Sequence, residues 1–356
     1  MSIDFAKVKT WEIPEGVVKK LVVDGKTLWA KRTGLSYYGA ITSLNAARYN
    51  LAATSVGDYA LFGGGSGSTG EMNNIDCYYK SLTLTQKSLS TIRSQLAATT
   101  VGNYALFGGG VFSGNAKNVV DAFNASLTRS EPTALSASRY NLAATTVGDY
   151  ALFGGGQTAS STYSNVVDAY DTSLTISKPS TLSATRSQLA ATTVGDYALF
   201  GGGYYGTSTR STVNAYNKSL TRSTATALSA SRYNLAATNV GDYALFGGGR
   251  SGSNPSYVVD AYNKSLTKST PTALSNSRYN LTATSLGDYA LFGGGSTSSG
   301  AFARVDAYDK SLTRTLLYDF TARYNLAAAT VGNYAIFAGG QTDASTYSDV
   351  AEAYTV

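Results

Sequence analysis

From residue 48 onward, apolar residues fall in short runs of about five positions, broken by Gly, Asn, Asp, Ser and Thr. No stretch keeps the i, i+3, i+4 spacing of an amphipathic helix. One span, RYNLAATTVGDYALFGGGQTASSTYSNVVDAYDTSLTISKPSTLSA from Arg139, divides into four predicted strands. NLAATTV is the first, and Gly148-Asp149 makes a two-residue turn into YALFG, the second. A variable loop rich in Gly, Ser and Thr leads to NVVDAY, the third. The polar turn DTS leads into the fourth strand, LTISKPSTL. The first two strands alternate poorly, so both of their faces are expected to be buried. The alanines of LAAT suit a place where sheets converge and large side chains do not fit. The glycines after YALF end the second strand, where close backbone approach or a positive φ is needed. A phosphate-cradling reading of these glycines requires a following helix, and no helical pattern follows.

The same pattern occurs seven times in all. Its leading arginine stands at Arg48, Arg93, Arg139, Arg186, Arg232, Arg278 and Arg323, at spacings of 45 to 47 residues. Strand content at that period predicts propeller blades. The seventh copy stops after its third strand. LSYYGAITSLNAARYN, from Leu35, aligns with LTRSEPTALSASRYN, from Leu127, so residues about 35–43 are expected to supply the missing strand and seal the ring. The fold class is therefore all-β: a seven-bladed β-propeller of four-stranded antiparallel blades, its last blade closed by an N-terminal strand, preceded by a small β-hairpin. The division is 1–34 for the hairpin segment and 35–356 for the propeller.

The strand-ending glycine pair (Gly154 and Gly155), the third-strand tyrosine (Tyr170) and the leading arginine resemble the Kelch-repeat β-propellers over about 320 residues. Two features depart from that family. Leucine replaces the fourth-strand tryptophan, as in KSLT at 218–221, and six copies add a third glycine. The fold hosts many roles and does not by itself give a function.

Before the repeats, VVKKLVVDGKTLWAK from Val17 reads as a hairpin turning at Asp24-Gly25. WEIPEGVVKKLVVDGKTLWAKR resembles short N-terminal modules of bacteriophage and prophage tail or virion-associated proteins. That resemblance implies a docking tag for a phage structural protein. The other reading is a hairpin packed on the propeller, with Trp11 and Trp29 as its small core, since two strands alone are marginal.

The chain holds no histidine and one cysteine, Cys77, among 356 residues. The commonest general base and metal ligand is thus missing, and no intrachain disulfide can form. Copper chemistry on this fold would need histidine ligands. The net charge is +6, but no Lys/Arg run marks a nucleic-acid arm, and no apolar run reaches membrane-spanning length. No cofactor, metal, nucleic acid or membrane is expected, and the protein reads as made in the cytoplasm.

The loops between second and third strands share one face with the connections between blades. Divergent loops on a constant scaffold suggest recognition. Tyr204, Tyr205, Arg210, Arg250, Tyr257, Phe112 and Phe302 are the candidate ligand contacts; the alternative is ordinary solvated loops. The arginine ring has two readings: guanidinium groups satisfying backbone carbonyls between blades, or a grip on acidic ligands as the Kelch resemblance implies. The third-strand acids Asp76, Asp121, Asp168, Asp260, Asp306 and Glu352 are expected to bond neighbouring backbone or arginine. Sevenfold repetition gives them like environments, which does not suit a glycosidase pair. A single carboxylate per turn makes no calcium cage, and Cys77 reads as packing. The expectation is a non-enzymatic recognition module of a phage or prophage virion that binds a host-surface glycan or protein. The alternative is a bacterial Kelch-type protein–protein scaffold.

Overall fold

Each repeat folds as one four-stranded antiparallel sheet, and seven such sheets form the β-propeller. The structure is a computed structural model that describes residues 8–11, 20–23, 26–30, 34–317 and 320–356. Blades are numbered here by their leading arginine. In blade 3 the strands are Ala143–Val147, Tyr150–Gly154, Val167–Tyr170 and Ile176–Ser177. Val147 pairs with Tyr150 across the predicted turn. Gly148 there has φ 52°, a conformation open to glycine without penalty. In blade 7 the first three strands come from the C-terminal end, and Ser36–Ile41 pairs with Ala351–Thr355 as the outermost strand. The ring is thus sealed as the sequence predicts.

The core lies between blades. Ala143, Val147, Leu152, Val167 and Ala169 of blade 3 pack against Leu189, Ala198, Phe200 and Tyr216 of blade 4. Phe200 meets Tyr216 edge-on at 5.9 Å, and the Tyr216 hydroxyl donates to the Ser180 carbonyl at 2.8 Å. The apolar ring is buried while its polar tip stays satisfied. The second strand is covered on both faces for this reason.

The three glycines have three separate causes. A Cβ on Gly154 would stand 2.7 Å from Phe200 Cε1 of the next blade. Gly155 has φ +71° and would meet the Arg186 carbonyl at 2.7 Å, whereas Gly156 has φ +104° and would meet the Tyr140 carbonyl at 2.8 Å. The first glycine admits the neighbouring phenylalanine, and the other two let the chain leave the sheet against backbone.

Near the axis, Asn50, Gln95, Asn141, Gln188, Asn234, Asn280 and Asn325 all take φ of 52–54°. Each backbone N–H donates to the carbonyl of the equivalent residue in the preceding blade, and Asn50 N–H closes the circle on Asn325 O at 3.0 Å. The first strands line the axial channel with Ala53, Thr54, Thr99, Thr145 and their equivalents.

The outer strands are shorter than predicted. LTISKPSTL contributes only Ile176–Ser177. Leu174 belongs to the preceding turn, at φ 63°, where Asp171 Oδ1 accepts from the N–H groups of Ser173 and Thr175 at 2.9 Å. Leu220 of KSLT stands in the same turn position, at φ 60°, ahead of the strand Arg222–Ala225.

The N-terminal segment holds one strand more than predicted. Val8–Trp11, Lys20–Val23 and Lys26–Ala30 form a three-stranded antiparallel sheet, with Val23 opposite Lys26. Asp24 and Gly25, and the side chains of Trp11 and Trp29, lie outside the described residues. Among the described residues no helix is long and apolar enough to cross a membrane.

Candidate functional site

Antiparallel order carries three features to one end of the propeller: the connections between blades, the axial amide ring and the segments joining second to third strands. In blades 1 to 6 those segments fold as small two-stranded hairpins rather than as irregular loops. Each is stitched to the connection ahead of its own blade. Ser187 bridges Tyr204 in blade 4, and Tyr233 bridges Arg250 in blade 5. Thr209 Oγ1 lies 3.4 Å from Ser251 Oγ, so these two hairpins touch.

Across blades 3 to 6 the hairpins and the connections stitched to them carry a continuous track of rings and guanidinium groups. Tyr163 contacts Tyr205 at 5.2 Å and Tyr204 at 6.0 Å, and Tyr204 contacts Tyr233 at 4.9 Å. The Arg250 guanidinium lies over Tyr233 at 4.8 Å and over Tyr279 at 4.5 Å, and that of Arg210 lies over Tyr205 at 5.4 Å. Four of the residues expected from the sequence, Tyr204, Tyr205, Arg210 and Arg250, are therefore brought together. Tyr163, Tyr233 and Tyr279 join them unforeseen. The signal for two of these was the tyrosine of the repeated RYN, which reads as part of the constant scaffold.

The remaining candidates stand apart from the track. Tyr257 is 56% exposed just beyond the blade 5 hairpin, and Phe112 is 40% exposed in blade 2 beneath Lys117. Phe302 is half-buried and covers the Arg278 guanidinium at 5.0 Å, a packing role.

The arginine ring is structural. All seven side chains are 0% exposed, so they offer no group to an acidic ligand. Six bond a third-strand carboxylate at 2.5–2.7 Å: Asp76, Asp121, Asp168, Asp260, Asp306 or Glu352. Each also donates to a second-strand carbonyl, as Arg93 does to Phe107 O at 3.1 Å. Those carbonyls belong to the blade the arginine leads into, rather than lying between blades. The carboxylate accepts in turn from the incoming connection: Ser90 N–H donates to Asp121 at 2.9 Å. A buried charge thus meets an opposite charge and several dipoles.

Blade 4 is the exception. Its third strand carries Asn214, and Arg186 donates to the amide oxygen at 2.9 Å, to Phe200 O at 3.2 Å and to Thr212 O at 3.0 Å. Burial, opposed by Tyr216 and helped by the neighbouring charge of Arg210, brings the Arg186 pKa down to about 10. The outer strand of blade 4 brings Arg222 opposite Tyr216. In blade 2 the corresponding Arg129 pairs with the buried Asp121 at 2.8 Å. Among the described residues, neither Arg210 nor Arg250 has a carboxylate partner. The segments 157–165, 204–212, 250–258 and 296–304 contain no Asp or Glu. At the other end of the propeller the turn lysines are paired: Lys80 with Asp58, Lys218 with Asp196, Lys264 with Asp242 and Lys310 with Asp288, at 2.5–2.7 Å. Uncompensated positive charge thus collects under and within the aromatic track.

Beside the track, the amide ring lines an axial depression of about 210 Å³ floored by leucines such as Leu51 and Leu189. Asn141 Nδ2 donates to Gln157 Oε1 at 3.3 Å. The amides of Asn50, Gln95, Gln188, Asn234, Asn280 and Asn325 line the depression with donors and acceptors together. Cys77 is fully buried, and burial pushes its thiol up to about 12, so it packs and does not attack.

No protein-family model matches the chain, and neither does any curated protein. Among solved structures, that of YjhT is similar, with a TM-score of 0.63 at 14% identity over 78% of this chain and 99% of that one. The likeness establishes a propeller. With 672 solved chains matching, the fold is too common to carry a function.

Proposed function

We propose that this chain is a non-enzymatic, Kelch-type recognition module of a bacteriophage or prophage particle, and that its hairpin face binds a host-surface glycan. The carrying observation is the one-sided track of Tyr163, Tyr204, Tyr205, Tyr233, Arg250 and Tyr279. Tyrosine faces stack on sugar rings, while the axial amides and the Ser/Thr-rich hairpins match hydroxyls that both donate and accept. The buried carboxylates are already committed to the arginine ring, which supports binding over acid–base turnover. Residues 1–34 dock the propeller on the particle, on the strength of their resemblance to tail modules; the protein is assembled in the bacterial cytoplasm and works on the virion.

The test is a glycan array probed with the whole chain and with Tyr163→Ala/Tyr205→Ala. A hit weakened about tenfold or more, equivalent to ~1.4 kcal/mol, is expected from losing two stacking faces. Absence of any glycan hit, with capture of a peptide instead, replaces this reading with a protein–protein scaffold. Particle incorporation that survives deletion of residues 1–34 removes the docking role.

A further inference from the structure

We infer that the track is built for an anionic glycan, one whose sugar or polyol backbone carries carboxylate or phosphate groups, and that blade 4 is its charge-selecting blade. This rests on the glycan-binding reading above and narrows it. Two independent features converge on blades 4 and 5. At the surface, Arg210 and Arg250 lie over tyrosine rings without a carboxylate partner among the described residues, on hairpins joined through Thr209 and Ser251. Buried within reach of the Arg210 charge, Arg186 is the one ring arginine whose third-strand partner is an amide, Asn214, rather than a carboxylate. An anion on the face meets the two surface guanidinium groups directly and the field of the third through a low-dielectric layer. The corresponding segments of blades 1 and 7, by contrast, carry Glu71 and Asp343. The positive sector therefore spans blades 2 to 6, with Lys117 in blade 2, and overlaps the aromatic track instead of encircling the axis.

A saccharide fits this sector better than an acidic peptide. The exposed large side chain of the blade 4 hairpin is Tyr205, and the surrounding exposed residues are Ser, Thr, Gly and Asn, such as Ser160, Ser161, Ser208, Ser253 and Asn254. Such a surface offers flat rings and hydroxyl groups, with no exposed aliphatic anchor for a peptide side chain.

Binding of the intact protein to poly(glycerol phosphate), polygalacturonate, neutral dextran and poly-glutamate of matched length tests the inference. At least one anionic polyol or polysaccharide is expected to bind more tightly than dextran, with an affinity that falls as salt rises. The first two probes separate phosphate from carboxylate recognition. Arg210→Gln/Arg250→Gln should cost more than about tenfold, and Arg210→Lys/Arg250→Lys should retain the salt dependence. Asn214→Asp alters no surface atom and supplies the carboxylate found in the other blades. It should weaken anion binding about threefold through the field alone. Equal binding of dextran, salt-independent binding, or indifference to Asn214→Asp and to the double glutamine variant overturns the charge selection while leaving glycan binding in place. Tighter binding of poly-glutamate than of both anionic glycans overturns the saccharide assignment. Failure of every polymer to bind overturns the glycan reading itself.

Discussion

Arg186 meets Asn214 at 2.9 Å, where every other blade sets a carboxylate against the same arginine. A buried guanidinium without a counter-charge is costly, and removing one partner of a buried pair typically costs about 3–5 kcal/mol. The amide and two carbonyls recover part of that. Asn214→Asp is accordingly expected to raise unfolding stability by about 1–3 kcal/mol, read from denaturant midpoints at unchanged slope. The converse, Asp260→Asn, should lower it by a similar amount while leaving the fold intact, since blade 4 already tolerates the amide. A destabilising Asn214→Asp would mean that Arg186 is compensated by some other group.

Gly201 and Gly202 are adjacent but differ in what forbids a side chain. A Cβ on Gly201 would press on Phe246 Cε1 at 2.7 Å, a ring that can shift. Blade 7 already holds Ala338 at the corresponding position, packed in one cluster with Phe62. On Gly202, with φ +70°, a Cβ would meet the Arg232 carbonyl at 2.6 Å, and backbone cannot move aside. Gly201→Ala should cost about 1–3 kcal/mol as overpacking. Gly202→Ala should cost more, because strain at positive φ adds about 1 kcal/mol or more. Thermal melts of the two variants check the order.

The fold was legible because its determinants repeat. Seven arginines at near-constant spacing count the blades, and the alignment of Leu35 with Leu127 finds the closing strand. The outer strands were overestimated because Leu174 and its equivalents look like strand residues and lie at positive φ. An Asx turn that spends a leucine there leaves no propensity signature. The aromatic track was half legible. Tyr204, Tyr205, Arg210 and Arg250 stand out because they vary, whereas Tyr233 and Tyr279 hide in a repeated motif. Only the bridges Tyr233–Arg250 and Tyr279–Ser296 place them at the foot of the variable hairpins. The axial hydrogen-bonded circle was invisible, since a backbone ring depends on φ and not on side-chain type.

Closure by Ser36–Ile41 separates two truncations that differ by a few residues. Removing residues 1–33 leaves the seventh blade whole, and the propeller should melt within about 0.5 kcal/mol of the full chain. Removing residues 1–42 exposes the edge of Ala351–Thr355 and takes away the Tyr37 hydroxyl that donates to Glu352 at 2.8 Å. An open edge next to a buried carboxylate should both destabilise and promote association. Light scattering together with thermal melts distinguishes the two products. Equal stability would show that the ring does not depend on that strand.

The same Tyr37–Glu352 contact sets a pH limit on the closure. Burial, and then the hydrogen bond to Glu352, push the Tyr37 phenol from 10.0 up to about 12. A pKa raised in the folded state marks stability that is fully present below the unfolded value. That stability is lost as pH climbs through the folded one, here from about 10 to about 12. The phenol is partly solvated, so the contribution is discounted to about 1 kcal/mol. Buried Tyr78, Tyr170, Tyr216, Tyr262 and Tyr308 are raised as well and steepen the alkaline melt of the whole ring. Tyr37→Phe isolates the closure, because both proteins share those five groups. The advantage of tyrosine over phenylalanine, measured by urea unfolding, should be constant between pH 7 and 9 and shrink steadily above about 10. A difference independent of pH up to 11.5 would show that Tyr37 does not clasp Glu352 in solution.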